Sequence, residues 1–425
     1  MAEIKAFQAL RFTEKAGEIG QLVCPPYDII NEEQRKAYLA KNPNNIIRLE
    51  LPKDGANPYT EAGRVLAEFE KKGLLDCDSQ DGLYIYEIEF IHNSVKKSIK
   101  GFVCRVKLEE FSKGIVLPHE ETLSKAKTDR FNLMNATGCN FSQIYSLYMD
   151  GNNPTFNKLE SASAQTPAIE FTDGEGLVHK LWVITDTAVI TSVCSDFEER
   201  KLYIADGHHR YETALNYRNA QREAGKAKEG DSCDYVMMML VNMENDGLVV
   251  FPTHRIVKNL ENPDLDKIIA DCKEYFTVSE NEDIKTVSDT LDRLYQEDKK
   301  AFALYTGGEH YTLLTLKDLS VMDGLLPGVS AASKGLDVTV LHSLILEKLF
   351  GIDKENMANQ VNLGYTRDID EAVGMVQNGS ANCSFIMNPT KVTEIRDVAS
   401  AGEKMPQKST YFYPKLITGL VMNQF

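Results

Sequence analysis

Three short polar segments of the sequence concentrate histidines beside charged residues. They read Pro118-His119-Glu120, Asp206-Gly207-His208-His209-Arg210 and Thr253-His254-Arg255. Imidazole, carboxylate and guanidinium groups transfer protons near neutral pH and bind anions or metal ions. These segments are therefore candidate functional sites, and the longest of them offers the most polar groups.

The segment 206–210 is predicted to turn from a strand into a helix. Residues 201–205 alternate as a strand does, and residues 211–224 follow a helical period. The unpaired amides of a helix's first turn attract anions, and phosphate is a typical ligand there. The turn is therefore a candidate phosphate site.

Each residue of this turn has a candidate role. Gly207 lets the backbone approach an anion closely, while His208, His209 and Arg210 supply donors, and Arg210 can bind two phosphate oxygens at once. Asp206 can hold Mg²⁺ or orient a histidine. The alternative is that Asp206 only caps the helix and that the histidines are packing residues.

Three further charged residues have two interpretations each. Glu120 follows a strand-like run, so it is either a general base for a hydroxyl or an acid at a helix start. Arg130 either binds a phosphate or pairs with neighbouring acids. Lys408 stands among hydroxyl and aromatic residues, where it either closes over an anion or belongs to a docked tail.

The elements that position these residues are a mixture of strands and helices. A hairpin is predicted from 83–90 and 97–106, and a helix from 59–69. Further strands are predicted at 143–149, 178–185, 202–205, 234–241 and 248–251, and further helices at 129–136 and 211–224. We predict an α+β protein with mostly antiparallel sheets, divided into domains 1–261 and 262–425.

Composition narrows the classes of partner. The 425 residues carry 47 Lys and Arg against 63 Asp and Glu, a formal charge of −16, so a nucleic-acid partner is not expected. The sequence has no apolar run of the roughly 18 residues that a membrane span needs and does not start like a secretory signal. We expect a cytoplasmic protein without a membrane partner.

The same segments, in the same order, resemble a bacterial and archaeal family known as domain of unknown function 1015. The resemblance runs over nearly the whole chain. It rests on Pro25-Pro26-Tyr27-Asp28, Pro118-His119-Glu120, Asp129-Arg130, the segment 205–211, Pro252-Thr253-His254-Arg255 and the run 406–415. It names a family and implies no activity.

Two of the segments also resemble free serine kinases of the ParB and sulfiredoxin superfamily, which carry a Pro-His-Glu element followed by Asp-Gly-His-His-Arg. This resemblance implies a ParB/sulfiredoxin-like core in residues 1–261, with ATP or ADP and Mg²⁺ as cofactors. It also implies that Glu120 is the base for a serine-like hydroxyl. The stretch between Glu120 and Asp206 is longer than the compact kinases need, so we expect an insertion around the site.

Three functions follow from these observations. The first is a nucleotide-dependent kinase acting on a small hydroxylated metabolite, and the second is a nucleotide-binding regulator without turnover. The third is a metal-dependent hydrolase that uses His119, His208, His209 and His254.

For the kinase we assign Glu120, Asp206 and His209 to catalysis and Asp206 also to metal. Five residues are assigned to the phosphates, namely Gly207, His208, Arg210, Arg130 and Lys408.

Overall fold

The computed structural model describes residues 1–120, 124–163 and 166–425, which divide into two compact units. The first unit comprises Met1–Pro118, Thr122–Val249 and Pro414–Phe425, and the second comprises His119–Glu121 and Val250–Tyr413. This division differs from the sequence-based boundary at residue 262. The strand His254–Val257 lies in the second unit because it pairs there with Leu363–Thr366 and Cys383–Met387.

The first unit is built around a mixed sheet in which nine strands are found among the described residues. Eight follow one another in the order Val116–Leu117, Leu202–Asp206, Ile144–Tyr148, Tyr235–Asn242, Val95–Lys107, Leu83–His92, Val178–Ile184 and Ile169–Thr172, and Ile4–Lys5 pairs with Val95–Lys107. Leu202–Asp206 pairs in parallel with Val116–Leu117, as Tyr235–Asn242 does with Ile144–Tyr148. The other pairs of this sheet are antiparallel.

Helices and small sheets complete the first unit. Its α-helices are Ile19–Leu22, Glu32–Lys41, Ile47–Glu50, Pro58–Lys71, Ser124–Thr137, Pro154–Ala162, Thr187–Asp196 and His208–Glu223. Two short strand pairs join Leu10–Phe12 to Leu75–Cys77 and Cys139–Asn140 to Asn423–Gln424. Buried Phe102 of the sheet packs in one core with Leu159 and Phe197. Leu159 belongs to the helix Pro154–Ala162, and Phe197 directly follows the helix Thr187–Asp196.

The second unit has its own antiparallel sheet and its own core. The strand order is Phe276–Asp283, His310–Leu316, Ala301–Tyr305, Cys383–Met387, His254–Val257 and Leu363–Thr366. The α-helices are Leu265–Cys272, Val287–Gln296, Val321–Leu325, Ala331–Lys334, Asp337–Val340, Lys354–Asn359, Ile369–Gln377 and Val392–Ser400, with a π-helix at Leu341–Glu347. Val249–Val250 and Phe412–Tyr413 are two further short strands.

Local sequence signals explain several of these elements. Asn93 and Ser94 adopt positive φ angles of 49° and 62°, which closes the predicted hairpin with a two-residue turn. Asn57 caps the helix Pro58–Lys71, whose first residue is a proline. The prediction of a mixed α+β protein with mostly antiparallel sheets is confirmed, whereas the ParB/sulfiredoxin-like core stays a prediction. In the part of the chain that the structure describes, no helix is long and apolar enough to span a membrane.

Candidate functional site

The charged segments separate into two clusters, one within each unit. Asp206, Arg210 and Lys415 meet in the first unit, and we call them the Asp206 site. Glu120 and Thr410 meet in the second unit.

The Asp206 site lies at the predicted strand-to-helix turn. The strand Leu202–Asp206 ends in a bulge between Ile204 and Asp206, and the helix His208–Glu223 begins two residues later. Gly207 stands between them with a φ of 96°, which L side chains rarely adopt. The backbone at this position therefore requires glycine, and the helix starts directly after it.

Two cations hold the carboxylate of Asp206. The Lys415 Nζ donates to Oδ1 at 2.5 Å, and the Arg210 Nη2 donates to Oδ2 at 2.7 Å. The Arg210 Nη1 also donates to the backbone oxygen of Gln143. All three charged side chains are largely buried, with 20% of Asp206, 13% of Arg210 and 12% of Lys415 exposed. Two cations against one carboxylate leave the cluster net positive.

The electrostatics of Asp206 reflect this arrangement. Burial by itself raises the pKa of a carboxyl, yet Lys415 and Arg210 together hold the pKa of Asp206 well below its ordinary value. Asp206 therefore stays ionised and acts as an anchor for both cations. Lys415 was not among the residues assigned from sequence, although it belongs to the run 406–415 that carries the resemblance.

The guanidinium of Arg210 rests on the glycine of the turn. A Cβ atom added at Gly207 would lie 2.9 Å from both Nε and Nη2 of Arg210. This distance is shorter than a van der Waals contact allows, so a side chain at position 207 would displace Arg210. Gly207 thus has two functions, since it permits the turn and leaves room for the cation.

His208 and His209 occupy the first turn of the helix. His208 is buried, with 6% of the residue exposed, and His209 is partly exposed. Neither assigned role, phosphate binding for His208 or catalysis for His209, is tested by these positions, and both stay predictions. The helix is 16 residues long, so its N-terminal amides add a positive partial charge to the Asp206 site.

Arg130 takes the second of its two foreseen roles. It is buried, with 5% exposed, and donates to Asp129 at 2.5 Å and to the backbone oxygen of Glu50 at 2.7 Å. Its guanidinium lies 4.0 Å from the ring centroid of Tyr27. These contacts show the pairing of Arg130 with a neighbouring acid, and its assignment to a phosphate stays a prediction.

Glu120 and its neighbours form a hydrogen-bonded group in the second unit. Its Oε1 accepts from the backbone nitrogen of Thr410 at 3.2 Å and from the Thr410 hydroxyl at 3.0 Å. The same hydroxyl lies 2.9 Å from Nε2 of the fully buried His119. Since the hydroxyl has one proton and donates it to Glu120, the His119 Nε2 must be the donor in the second bond. Lys408 is exposed in this unit with a φ of 57°, and its assignment to a phosphate stays a prediction.

The surroundings of Asp206 are unfavourable for a magnesium ion. Both carboxylate oxygens already accept from a cation, and the positive charges of Lys415 and Arg210 would repel a metal ion. Within the described ranges, no group of three or more His, Cys, Asp or Glu side chains could hold a metal ion. This finding gives no support to the metal-dependent hydrolase, and the assignment of a metal to Asp206 stays a prediction.

Sequence comparison identifies a family. The family described as Protein of unknown function (DUF1015) matches residues 4–340. No curated protein matches the chain at the level of sequence.

Comparison with solved structures gives several matches, of which three are described. A conserved hypothetical protein from Pyrococcus furiosus is 15% identical, with 73% of this chain and 94% of that chain covered and a TM-score of 0.35. A free serine kinase in complex with AMP is also 15% identical, with 73% and 90% covered and a TM-score of 0.36. SbnI with a C-terminal truncation, from Staphylococcus aureus, is 10% identical, with 75% and 86% covered and a TM-score of 0.36. TM-scores this low do not establish a shared fold or a shared ligand.

Proposed function

We propose, for a chain that belongs to the DUF1015 family, that the Asp206 site binds the phosphates of a nucleotide. The observation that carries the proposal is the pair of cations, Arg210 and Lys415, held by one carboxylate at the start of a helix. Phosphate oxygens are favoured at such a position because backbone amides and fixed cations face them together.

The carboxylate of Asp206 prepares the two cations for this task. A guanidinium has five N–H donors, and Arg210 gives one bond to Asp206 and one to the backbone oxygen of Gln143, so its guanidinium keeps N–H groups beyond these two bonds. Lys415 adds the positive charge of its ammonium group beside Asp206. Because Asp206 fixes both side chains in advance, a bound phosphate does not have to order them. The net positive charge of the cluster then favours an anion over a neutral ligand.

We further propose that the protein is a kinase that phosphorylates the hydroxyl group of a small, serine-like metabolite. Phosphoryl transfer needs positioned phosphates, neutralised charge and a base for the attacking hydroxyl. Glu120 is the proposed base, and the support for this role is the Pro118-His119-Glu120 motif alone. The base takes the hydroxyl proton, the hydroxyl oxygen attacks the terminal phosphorus, and the bond to the nucleotide's leaving oxygen breaks. His209 is proposed as an additional donor to the transferred phosphoryl group.

Nucleotide binding is tested by titration calorimetry on the wild type and on Arg210→Gln. ATP and ADP are each titrated with and without Mg²⁺. Loss of charged hydrogen bonds worth about 1.5–3 kcal/mol should weaken binding roughly 10- to 100-fold. The matched control is Arg222→Gln, since Arg222 forms a comparable pair with Asp234 at the other end of the same helix. Equal affinities in wild type and Arg210→Gln would refute the phosphate site.

Turnover is tested separately with Glu120→Gln. The kinase predicts that this variant binds nucleotide as the wild type does and loses phosphorylation of hydroxylated metabolites. If the wild type binds nucleotide and forms no phosphorylated product from any metabolite pool, the regulator without turnover replaces the kinase. Loss of nucleotide affinity in Glu120→Gln would contradict its role as the base.

A further inference from the structure

The second unit encloses a cavity of about 520 Å³ that takes no part in the proposed function. Every residue of its lining belongs to that unit. Leu326, Val329 and Met357 supply apolar surface, and His342 and Tyr365 supply polar groups. Mixed linings and volumes of this order are typical of sites for small molecules.

A buried cation stands behind this lining. Arg255 is 1% exposed, and its Nε donates to Nε2 of His342 at 3.2 Å. Its Nη1 donates to the backbone oxygen of Thr253, and its guanidinium lies 5.2 Å from the ring centroid of Tyr365. The buried Nη2 has no hydrogen-bond partner, and Arg255 forms no ion pair, among residues 1–120, 124–163 and 166–425.

A buried guanidinium without a paired anion is unfavourable. Burial lowers the pKa of Arg255 to about 10, with Glu120 acting in the opposite direction, so the group is still charged at neutral pH. Proteins normally pair a buried charge, because an unpaired one costs several kcal/mol of stability. Of the acids in the cavity lining, Glu403 accepts three hydrogen bonds from Ser330 and Ser333, and Glu347 is exposed. Arg255 therefore places a positive charge directly behind the cavity lining, without an ion pair among the described residues.

His342 connects this charge to the cavity. Because its Nε2 accepts from Arg255, its proton is on Nδ1, and Nδ1 has no partner in the described part of the chain. Burial lowers the pKa of His342 well below its ordinary value, so the ring stays neutral and this tautomer is fixed. His342 lies in the π-helix Leu341–Glu347, and π-helices are frequent at functional sites.

We propose that the cavity binds a small molecule with an oxyanion group, either a carboxylate or a phosphate, and an apolar body. The Nδ1–H of His342 donates to an oxyanion oxygen, and the positive charge of Arg255 behind it stabilises the anion. The apolar body lies between Leu326, Val329 and Met357. This site shares no residue with the Asp206 site, and the proposal does not depend on nucleotide binding.

The probes are benzoate and phenyl phosphate, with benzyl alcohol as the neutral analogue, in a thermal-shift assay on the full chain. At about 10 mM, a ligand with a millimolar Kd should raise the melting temperature by about 3 °C. Benzyl alcohol should have no such effect. A response to benzoate alone identifies a carboxylate site, and a response to phenyl phosphate alone identifies a phosphate site. No response to either anion overturns the proposal.

Four variants test whether the response comes from the cavity. Arg255→Met should abolish it, whereas Arg367→Met should keep it, because Arg367 also stacks on a tyrosine of this unit but is exposed and outside the lining. Arg210→Gln should keep it as well, since that change affects only the Asp206 site. If Arg255→Met does not fold, Ala358→Trp fills the cavity from its wall and should abolish the response. A response that survives Ala358→Trp, or that is lost in Arg210→Gln, overturns the proposal.

Discussion

Replacing Lys415 by methionine removes one of the two cations from Asp206 and keeps the length of the side chain. In the wild type the Lys415 Nζ lies 2.5 Å from Oδ1 of Asp206. After the change, Arg210 alone compensates the carboxylate, and the net positive charge of the cluster is lost. We expect the variant to bind nucleotide phosphates more weakly, since both the field and one donor group are gone.

The magnitude follows from the burial of the pair. A charged hydrogen bond from Lys415 to a phosphate contributes about 1.5–3 kcal/mol, so its loss weakens binding roughly 10- to 100-fold. The pair itself also stabilises the protein, because 12% of Lys415 and 20% of Asp206 are exposed. Breaking a fully buried pair costs about 3–5 kcal/mol, and with this partial exposure we expect about 2 kcal/mol. The variant should therefore unfold at lower urea concentration but still fold.

The assay is calorimetric titration of ATP and ADP into Lys415→Met and Lys408→Met, with urea unfolding of both proteins. Lys408→Met is the comparison, since Lys408 is an exposed lysine of the same terminal run and its own assignment to the phosphates is tested in the same experiment. We expect the loss of affinity in Lys415→Met to be larger than any loss in Lys408→Met. A larger loss in Lys408→Met than in Lys415→Met would refute our reasoning about the Asp206 site.

Two further predictions concern other buried groups. Gly207→Ala should lower both stability, by about 1–2 kcal/mol, and nucleotide affinity, because the new Cβ displaces Arg210. Gly225→Ala, at a φ of 67° with open space around the added Cβ, should lower stability alone, and urea unfolding with calorimetry separates the two. Burial raises the pKa of Asp337 to about 6 although Lys300 donates to it at 2.9 Å. A carboxyl with a raised pKa destabilises the folded state above that pH, so this group should contribute up to about 3 kcal/mol of added stability as the pH falls from about 6 to 4. Asp337→Asn should remove that contribution, and a pH series of unfolding free energies for both proteins measures the difference; parallel pH curves would contradict it.

Local sequence signals predicted the Asp206 turn well. The signals are an alternating pattern, a glycine and a helical period, and they follow one another directly in the sequence. The structure has the strand Leu202–Asp206 and the helix His208–Glu223 at these positions. The pairing of Arg130 with Asp129 was one of two foreseen outcomes because the two residues are adjacent. Patterns of this kind act over short distances, so a sequence alone can show them.

The choice of the second cation could not be predicted in the same way. Lys415 and Asp206 are 209 positions apart, and which lysine of the terminal run reaches the carboxylate depends on the path of the chain through tertiary structure. The sequence shows Arg255 beside a histidine in the segment Thr253-His254-Arg255. It does not show that Arg255 is buried without an ion pair among the described residues. The sheet that a short strand such as His254–Val257 joins could not be predicted either, because its local sequence pattern does not indicate its partner strands.

The return of Pro414–Phe425 to the first unit has a consequence for synthesis of the protein. The ribosome completes the strand and helix around Asp206 long before it adds Lys415, and the whole stretch Val250–Tyr413 is made in between. During that interval the carboxylate has only Arg210 as a cation. A nascent or prematurely ended chain therefore cannot assemble the full Asp206 site, so the phosphate binding proposed for this site requires chains that have been translated past residue 415.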